Sequence, residues 1–269
     1  MHEHTNSGRK NILTPAGAND ISLAQWALVD EIRSGAWTTL DFPRIAREDF
    51  NLNGVEFVNT LFEVPTAEYL SALKQRGKDQ GVTMVLIMVD DEGDGCCPEP
   101  AGRIAFAVNH RKWIDVAHFL GCRSIRTNCR GPLGADSREA LLWAEESYHL
   151  LLEYAAGSNI SVLIENHGGF SNDPDWLVEL FDKLNNPSFG AYPDWRSPSA
   201  EFDNFSFLQK TIAYAMGMSY RNQPTDEATV SMIKLCQGLG YQGWWGIESS
   251  GRQEIAKGIS ILGKHLFLP

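Results

Sequence analysis

The sequence lacks the features that place a protein in or across a membrane. No apolar run in its 269 residues approaches the ~20 residues of a membrane-spanning helix. The first twenty residues are polar and do not contain the apolar block of a secretory signal. We therefore expect a cytoplasmic protein without a membrane partner, in which residues 1–20 form a polar extension before the folded domain.

Basic charge is also in short supply. The chain has 23 Lys and Arg against 34 Asp and Glu, a formal net charge of −11, and its basic residues are scattered. Proteins that bind nucleic acids usually carry a basic face. The charge balance therefore predicts that neither DNA nor RNA is a partner.

The sequence also lacks the patterns of a disulfide framework, of a structural zinc site and of a dinucleotide-binding turn. The five cysteines are odd in number and include no CxxC pair, which argues against a disulfide framework and against a structural zinc site. The first apolar segment, "SLAQWAL", is not followed by the GxGxxG turn of a dinucleotide-binding domain.

What the sequence does contain is a repeated alternation of short apolar segments and amphipathic segments. The apolar segments predict strands within 21–28, 54–59, 82–90, 124–128, 161–166, 189–194, 212–218 and 243–249. A doubly wound open sheet also alternates in this way but usually has fewer strands. Eight units in about 250 residues are typical of a TIM barrel. We predict an α/β fold, a single (β/α)8 TIM barrel over residues 21–269.

Polar side chains stand at the ends of these predicted strands. Glu165, Asp194 and Glu248 end strands five, six and eight, Asn128 ends strand four, and Glu56 lies in strand two. In a TIM barrel such ends meet at one mouth, where the active site lies. A single carboxylate there could be a helix cap or a surface charge. Three at equivalent points predict a site, since buried carboxylates are costly unless paired or bound to a metal.

Several motifs together carry a family resemblance. The segments "VLIENHGGFSND", "GCRSIRTNCRG", "NHRKWIDVAHFLGC" and "LGYQGWWGIES" resemble the sugar phosphate isomerases and epimerases of the xylose isomerase-like TIM-barrel superfamily. The resemblance implies a divalent metal held by Glu165, Asp194, Glu248 and a histidine of strand seven. It also implies a divalent-metal-dependent isomerase or epimerase.

The sequence departs from that family around the implied site. Strand seven has no histidine, and Met216 or a neighbour stands in its place. Further departures are Met218, Arg196, Ser197, Ser249 and Ser250. Oxygen ligands without histidine favour Mn²⁺ or Mg²⁺, and a thioether is a poor ligand for either. We therefore expect a weakened metal site.

The resemblance assigns roles to individual residues. Glu165 and Glu248 would be the catalytic pair that moves a proton beside a carbonyl, while Asp194 would hold the metal. A small-molecule carbohydrate would be bound by Asn128, His167, Arg221 and Glu56, with Arg221 holding an oxyanion or phosphate. A lyase or dehydratase on the same scaffold, or a sugar-binding barrel without activity, are the alternatives. The exact substrate, its phosphorylation and the formation of a homo-oligomer remain open from sequence.

Overall fold

The computed structural model describes residues 20–196 and 202–266. The predicted extension, apart from residue 20, lies outside the described residues, as does Ser197. No described helix combines the length and the apolarity that crossing a membrane requires.

Eight parallel strands form one curved sheet in which neighbours in sequence are neighbours in space, in the order β6-β5-β4-β3-β2-β1-β8-β7. Two isolated parallel bridges, Ala191 to Ala215 and Asp194 to Ser219, join β6 to β7 and close the sheet. The predicted (β/α)8 TIM barrel is therefore confirmed. The strands are β1 Ile21–Ala24, β2 Gly54–Val58, β3 Thr83–Met88, β4 Ser124–Thr127, β5 Ser161–Glu165, β6 Phe189–Tyr192, β7 Ser219–Tyr220 and β8 Trp245–Ile247.

Helices connect successive strands and cover the outside of the barrel. They are α1 Val29–Arg33, α2 Phe42–Arg44, α3 Ala67–Asp79, α4 Pro100–Leu120, α5 Ser137–Ala155, α6 Pro174–Leu184, α7 Asn204–Thr211, α8 Asp226–Gly238 and α9 Arg252–Leu266. Local sequence signals set several of their ends. The Asp173 side chain accepts from the backbone of α6 while Pro174 opens that helix, and Gly121 ends α4 in the left-handed conformation.

Strand seven differs from its prediction. The apolar run 212–218 predicts the strand, but Ile212–Tyr214 is a short 3₁₀ helix and β7 is Ser219–Tyr220. The amides of Met216 and Ser219 donate to the carbonyls of Ala191 and Pro193 respectively. The two donors are three residues apart, whereas the two acceptors are two residues apart. The segment before β7 therefore contains one extra residue, as in a β-bulge, and this changes which side chains face inward.

The apolar core has two parts. The larger lies between the sheet and the helices, and the smaller fills the barrel and includes Leu86, Leu163, Tyr192 and Trp244. Because apolar side chains occupy the barrel below, polar side chains that point inward are concentrated near the carboxyl ends of the strands.

Candidate active site

A cavity of about 1020 Å³ opens at the carboxyl ends of the strands. Its lining is rich in charge and includes Asp90, Arg126, Asn128, Glu165, Arg221 and Glu248. Strands three, four, five, seven and eight each contribute to this set, so the barrel assembles the site from segments far apart in sequence.

Three carboxylates meet at this mouth. Glu165, Asp194 and Glu248 each offer an oxygen, and these atoms all lie within 4.8 Å of one another. All three residues are buried. The structure therefore brings together the three acids that the sequence placed at strand ends.

Hydrogen bonds fix Asp194 and link it to its neighbours. The side-chain amide of Asn166 accepts from the Asp194 backbone N–H at 2.7 Å and donates to the Asp194 carbonyl at 2.9 Å. The Ser219 hydroxyl lies 3.1 Å from Asp194 Oδ1 and also contacts Glu248 Oε2. Asn166, directly after β5, and Ser219 of β7 thus hold this acid in place.

Arg126 is the first of two guanidinium groups among these acids. It projects from β4, is fully buried, and donates from Nη1 to Asp90 Oδ1 at 2.6 Å. Its Nε lies 2.8 Å from Glu165 Oε2. Burial opposes its charge, but Glu165 and Asp90 outweigh that effect and raise the pKa of Arg126.

Arg221 is the second, and it bridges the other two acids. Its Nε donates to Asp194 Oδ1 at 2.7 Å, its Nη2 lies 2.9 Å from Glu248 Oε1, and its Nη1 donates to the Glu248 carbonyl at 3.1 Å. Burial opposes the charge of Arg221 too, and Glu248 and Asp194 raise its pKa. The predicted oxyanion or phosphate binder therefore already has two anionic partners.

Burial changes the acidity of the two glutamates predicted to be catalytic. It raises the pKa of Glu165 to about 8, an effect that Arg126 opposes and that Glu248 and Asp194 reinforce. Burial also raises the pKa of Glu248, against the opposing effect of Arg221. Carboxyl groups with raised pKa values can act as proton donors as well as acceptors near neutral pH.

Asn128 and His167 lie together at the mouth. Asn128 donates to Asp90 Oδ1 at 2.9 Å, and its Oδ1 lies 3.1 Å from His167 Nδ1. The same Nδ1 is 3.0 Å from Arg130 Nη2. Burial, together with Arg126 and Arg130, lowers the pKa of His167 to about 4, so the imidazole is neutral at pH 7.

Glu56 lies elsewhere. It is fully buried inside the barrel, where Ser22 Oγ donates to it at 2.6 Å and the Tyr192 hydroxyl also donates. Its carboxylate fills the space that a side chain on Gly246 would need. Glu56 is not among the described residues that line the cavity, so its position does not support a contact with substrate.

Met216 is not at the level of the carboxylates. Its side chain packs with the barrel-filling cluster and lies near Gly190, four residues before Asp194 on the neighbouring segment. The prediction put Met216 or a neighbour in the place of the histidine ligand, and the Met216 side chain does not lie beside the three acids. Ser219 and Arg221 are the residues of this segment that reach the acids.

The other departures from the family pattern fall in different places. Met218 is buried in the core between sheet and helices, and Arg196 lies over the ring of Phe202. The Ser249 hydroxyl accepts from the Asn222 backbone N–H, whereas Ser250 lines the cavity. Of these four, only Ser250 faces the site.

Arg126 and Ser219 are site residues that the sequence reasoning missed. Arg126 had a visible signal, because it lies two residues before Asn128 and side chains at this spacing share one face of a strand. Ser219 had none, because the predicted strand ended one residue before it.

The acids fit a hard divalent cation as a donor set. They supply carboxylate oxygens, the ligands that Mg²⁺ and Mn²⁺ prefer. Glu165 Oε2 is buried and accepts no hydrogen bond within the described part of the chain, since its contact with Arg126 does not have hydrogen-bond geometry. The buried triad could therefore bind a metal.

Three comparisons place the chain among known proteins. A protein of Xenopus laevis named "Putative hydroxypyruvate isomerase" is 24% identical over 193 residues, which cover 64% of this chain and 70% of that protein. A solved structure titled as a D-tagatose 3-epimerase-like protein has a TM-score of 0.73 at 14% identity and covers 92% of this chain and 97% of its own. One titled as a family 2 AP endonuclease from Brucella melitensis has a TM-score of 0.70 at 18% identity and covers 91% and 99%.

At these identities, the likeness to the solved structures shows the fold alone. The family model provides the stronger statement, since the model named "Xylose isomerase-like TIM barrel" matches residues 45–265. That range includes Glu165, Asp194 and Glu248. The chain therefore belongs to the xylose isomerase-like TIM barrel family.

Proposed function

We propose that the protein is an isomerase or epimerase of a small sugar or sugar phosphate, acting by metal-assisted proton transfer between Glu165 and Glu248. One observation carries the proposal: oxygens of three buried carboxylates, at the end of β5, shortly after β6 and directly after β8, lie within 4.8 Å of one another, and two of these residues, Glu165 and Glu248, line the cavity. The family and the Xenopus laevis relative support the same reaction class.

Glu165 and Glu248 are the proton-transferring residues of this proposal. Both line the cavity, so a carbon acid bound there would lie within reach of one carboxyl group to take a proton and another to return it. Asp194 would hold the metal together with these two glutamates. Mg²⁺ or Mn²⁺, when bound, supplies Lewis-acid stabilisation of the charge that develops on the substrate oxygen.

The remaining cavity residues would orient the substrate. Asn128 offers an amide and His167 a neutral imidazole, groups that suit sugar hydroxyls. Arg221, which also lines the cavity, would contact an oxyanion or phosphate of the substrate. The expected partner is a small-molecule carbohydrate.

Solvent-deuterium incorporation tests the proposal. The purified protein is incubated in D₂O with ketoses, aldoses, their phosphates and hydroxypyruvate, with and without Mn²⁺, and products are read by NMR. We expect one deuterium beside the carbonyl carbon of a converted substrate. Glu165→Gln and Glu248→Gln should each abolish conversion, while Glu146→Gln, on the outer face of α5, should leave it unchanged.

Two other outcomes would overturn the proposal. Elimination of water with formation of an unsaturated or deoxy product would indicate a lyase. Sugar binding without exchange at any concentration of protein and metal would indicate a barrel without activity.

A further inference from the structure

The Arg221 guanidinium lies where a cation that bridges strands six and eight would lie. Its Nε and Nη2 contact Asp194 and Glu248 at 2.7 and 2.9 Å, and its Nη1 holds the Glu248 carbonyl. A guanidinium has five N–H donors in a fixed plane. Three of its nitrogens are engaged with these two residues, so the contact is a defined bridge.

The hydrogen bonds to the acids leave little of them open on this side. Asp194 Oδ1 accepts hydrogen bonds from both Arg221 and Ser219. Glu248 Oε1 contacts Arg221, and Glu248 Oε2 accepts a hydrogen bond from Ser219. A metal bound to Glu248 has to take an oxygen that now contacts Ser219 or Arg221, and one bound to Asp194 Oδ1 has to share that oxygen with both residues. It would also bring a second positive charge next to the guanidinium.

Arg126 differs from Arg221 in what it could do. Arg126 is about 1% exposed and is held by Asp90 within the barrel, so it stays whether or not a metal binds. Arg221 follows the two-residue strand β7, and its side chain is 32% exposed toward the cavity. It has room to move away from the acids into that cavity.

We propose that Arg221 is a built-in cation of the Asp194–Glu248 pair, and that its guanidinium and a divalent metal exclude each other there. Metal binding then requires Arg221 to leave, and the free energy of its ion pairs is subtracted from the metal affinity. This inference concerns the metal affinity of the chain and does not rest on which substrate, if any, is converted.

Titration with Mn²⁺ alone, followed by the EPR signal of the free ion, tests the proposal. The proteins compared are the natural chain, Arg221→Gln, Arg130→Gln and the double variant Arg221→Gln with Asp194→Asn. Arg130 is the matched control because it lines the same cavity but contacts His167 rather than the acids. Its replacement removes the same charge without opening the carboxylates.

We expect Arg221→Gln to tighten Mn²⁺ binding at least about tenfold, a change of about 1.4 kcal/mol. Arg130→Gln should tighten it less than about threefold, because only screened electrostatics across the cavity change. Adding Asp194→Asn to Arg221→Gln should remove the gain. If Arg221→Gln does not fold, as judged by circular dichroism, Arg221→Lys replaces it. Lysine keeps the charge but lacks the planar guanidinium that bridges the two acids. Arg221→Lys should still tighten Mn²⁺ binding more than Arg130→Gln does.

Three results would overturn the proposal. The first is natural protein that binds Mn²⁺ as tightly as Arg221→Gln. The second is equal tightening by Arg221→Gln and Arg130→Gln, and the third is no Mn²⁺ binding by any variant. Because no substrate is present, these results are independent of whether proton exchange is found.

Discussion

Replacing Glu56 with glutamine should remove the part of the pH dependence of stability that this residue causes. Burial raises the pKa of Glu56 from 4.5 to about 7, partly opposed by the hydrogen bonds from Ser22 and Tyr192. A carboxyl group with a raised pKa in the folded state binds protons more strongly there than in the unfolded chain. Its contribution to stability is therefore complete below pH 4.5 and is lost as pH rises through about 7.

The size of the effect follows from the pKa. A rise from 4.5 to about 7 corresponds to about 3 kcal/mol. Glutamine is close in shape to a protonated glutamate and does not titrate. The stability of Glu56→Gln relative to the natural protein should be lowest near pH 5. Between pH 5 and pH 8 the free energy of unfolding of Glu56→Gln should rise relative to that of the natural protein by up to about 3 kcal/mol.

Urea denaturation at several pH values between 5 and 8 measures this difference, and the rest of the chain cancels in the comparison. Parallel curves of unfolding free energy against pH for the two proteins would contradict this prediction. They would mean that Glu56 remains ionised in the barrel, with Ser22 and Tyr192 sufficient to stabilise the charge.

Two further predictions concern stability. His110 is buried, its Nδ1 lies 2.8 Å from the Phe106 carbonyl, and burial lowers its pKa from 6.5 to about 4. Stability should therefore fall by up to about 3 kcal/mol as pH drops from 6.5 to 4, and urea denaturation should show a flatter pH slope for His110→Gln; an unchanged slope would contradict this. Gly169→Ala should cost more than about 2 kcal/mol in thermal or urea unfolding, because φ is +57° and the new Cβ would lie 1.9 Å from the Arg130 carbonyl oxygen. Gly134→Ala, at φ +79° with no atom within 4 Å, should cost clearly less, and equal losses would contradict the steric argument.

The sequence predicted the barrel and its acidic centre because both depend on order along the chain. Glu165 ends an apolar strand and Glu248 directly follows one, and in a parallel barrel those strand ends must meet at one mouth. The same reasoning could have included Arg126, which shares a strand face with Asn128. The alternation of side chains along strand four is thus sufficient to place Arg126 at the site beside Asn128.

Strand seven and Glu56 were harder to predict for physical reasons. Apolar residues run through 212–218, but the 3₁₀ turn at Ile212–Tyr214 and the irregular pairing after Ala215 shift the strand toward Ser219. Such a shift changes which residues point inward and is decided by tertiary contacts. The depth of Glu56 in the barrel depends on Gly246, a partner nearly two hundred residues away in sequence.

The proposed function requires Glu165 and Glu248 to carry a proton between them at the three-carboxylate centre. The most direct measurement is NMR detection of deuterium at the substrate carbon beside the carbonyl, during turnover in D₂O by the natural protein, Glu165→Gln and Glu248→Gln, each verified as folded. We expect one deuterium per converted molecule with the natural protein and no conversion with either variant. Conversion that persists when either glutamate is replaced, or natural turnover that leaves the carbon free of deuterium, would contradict it.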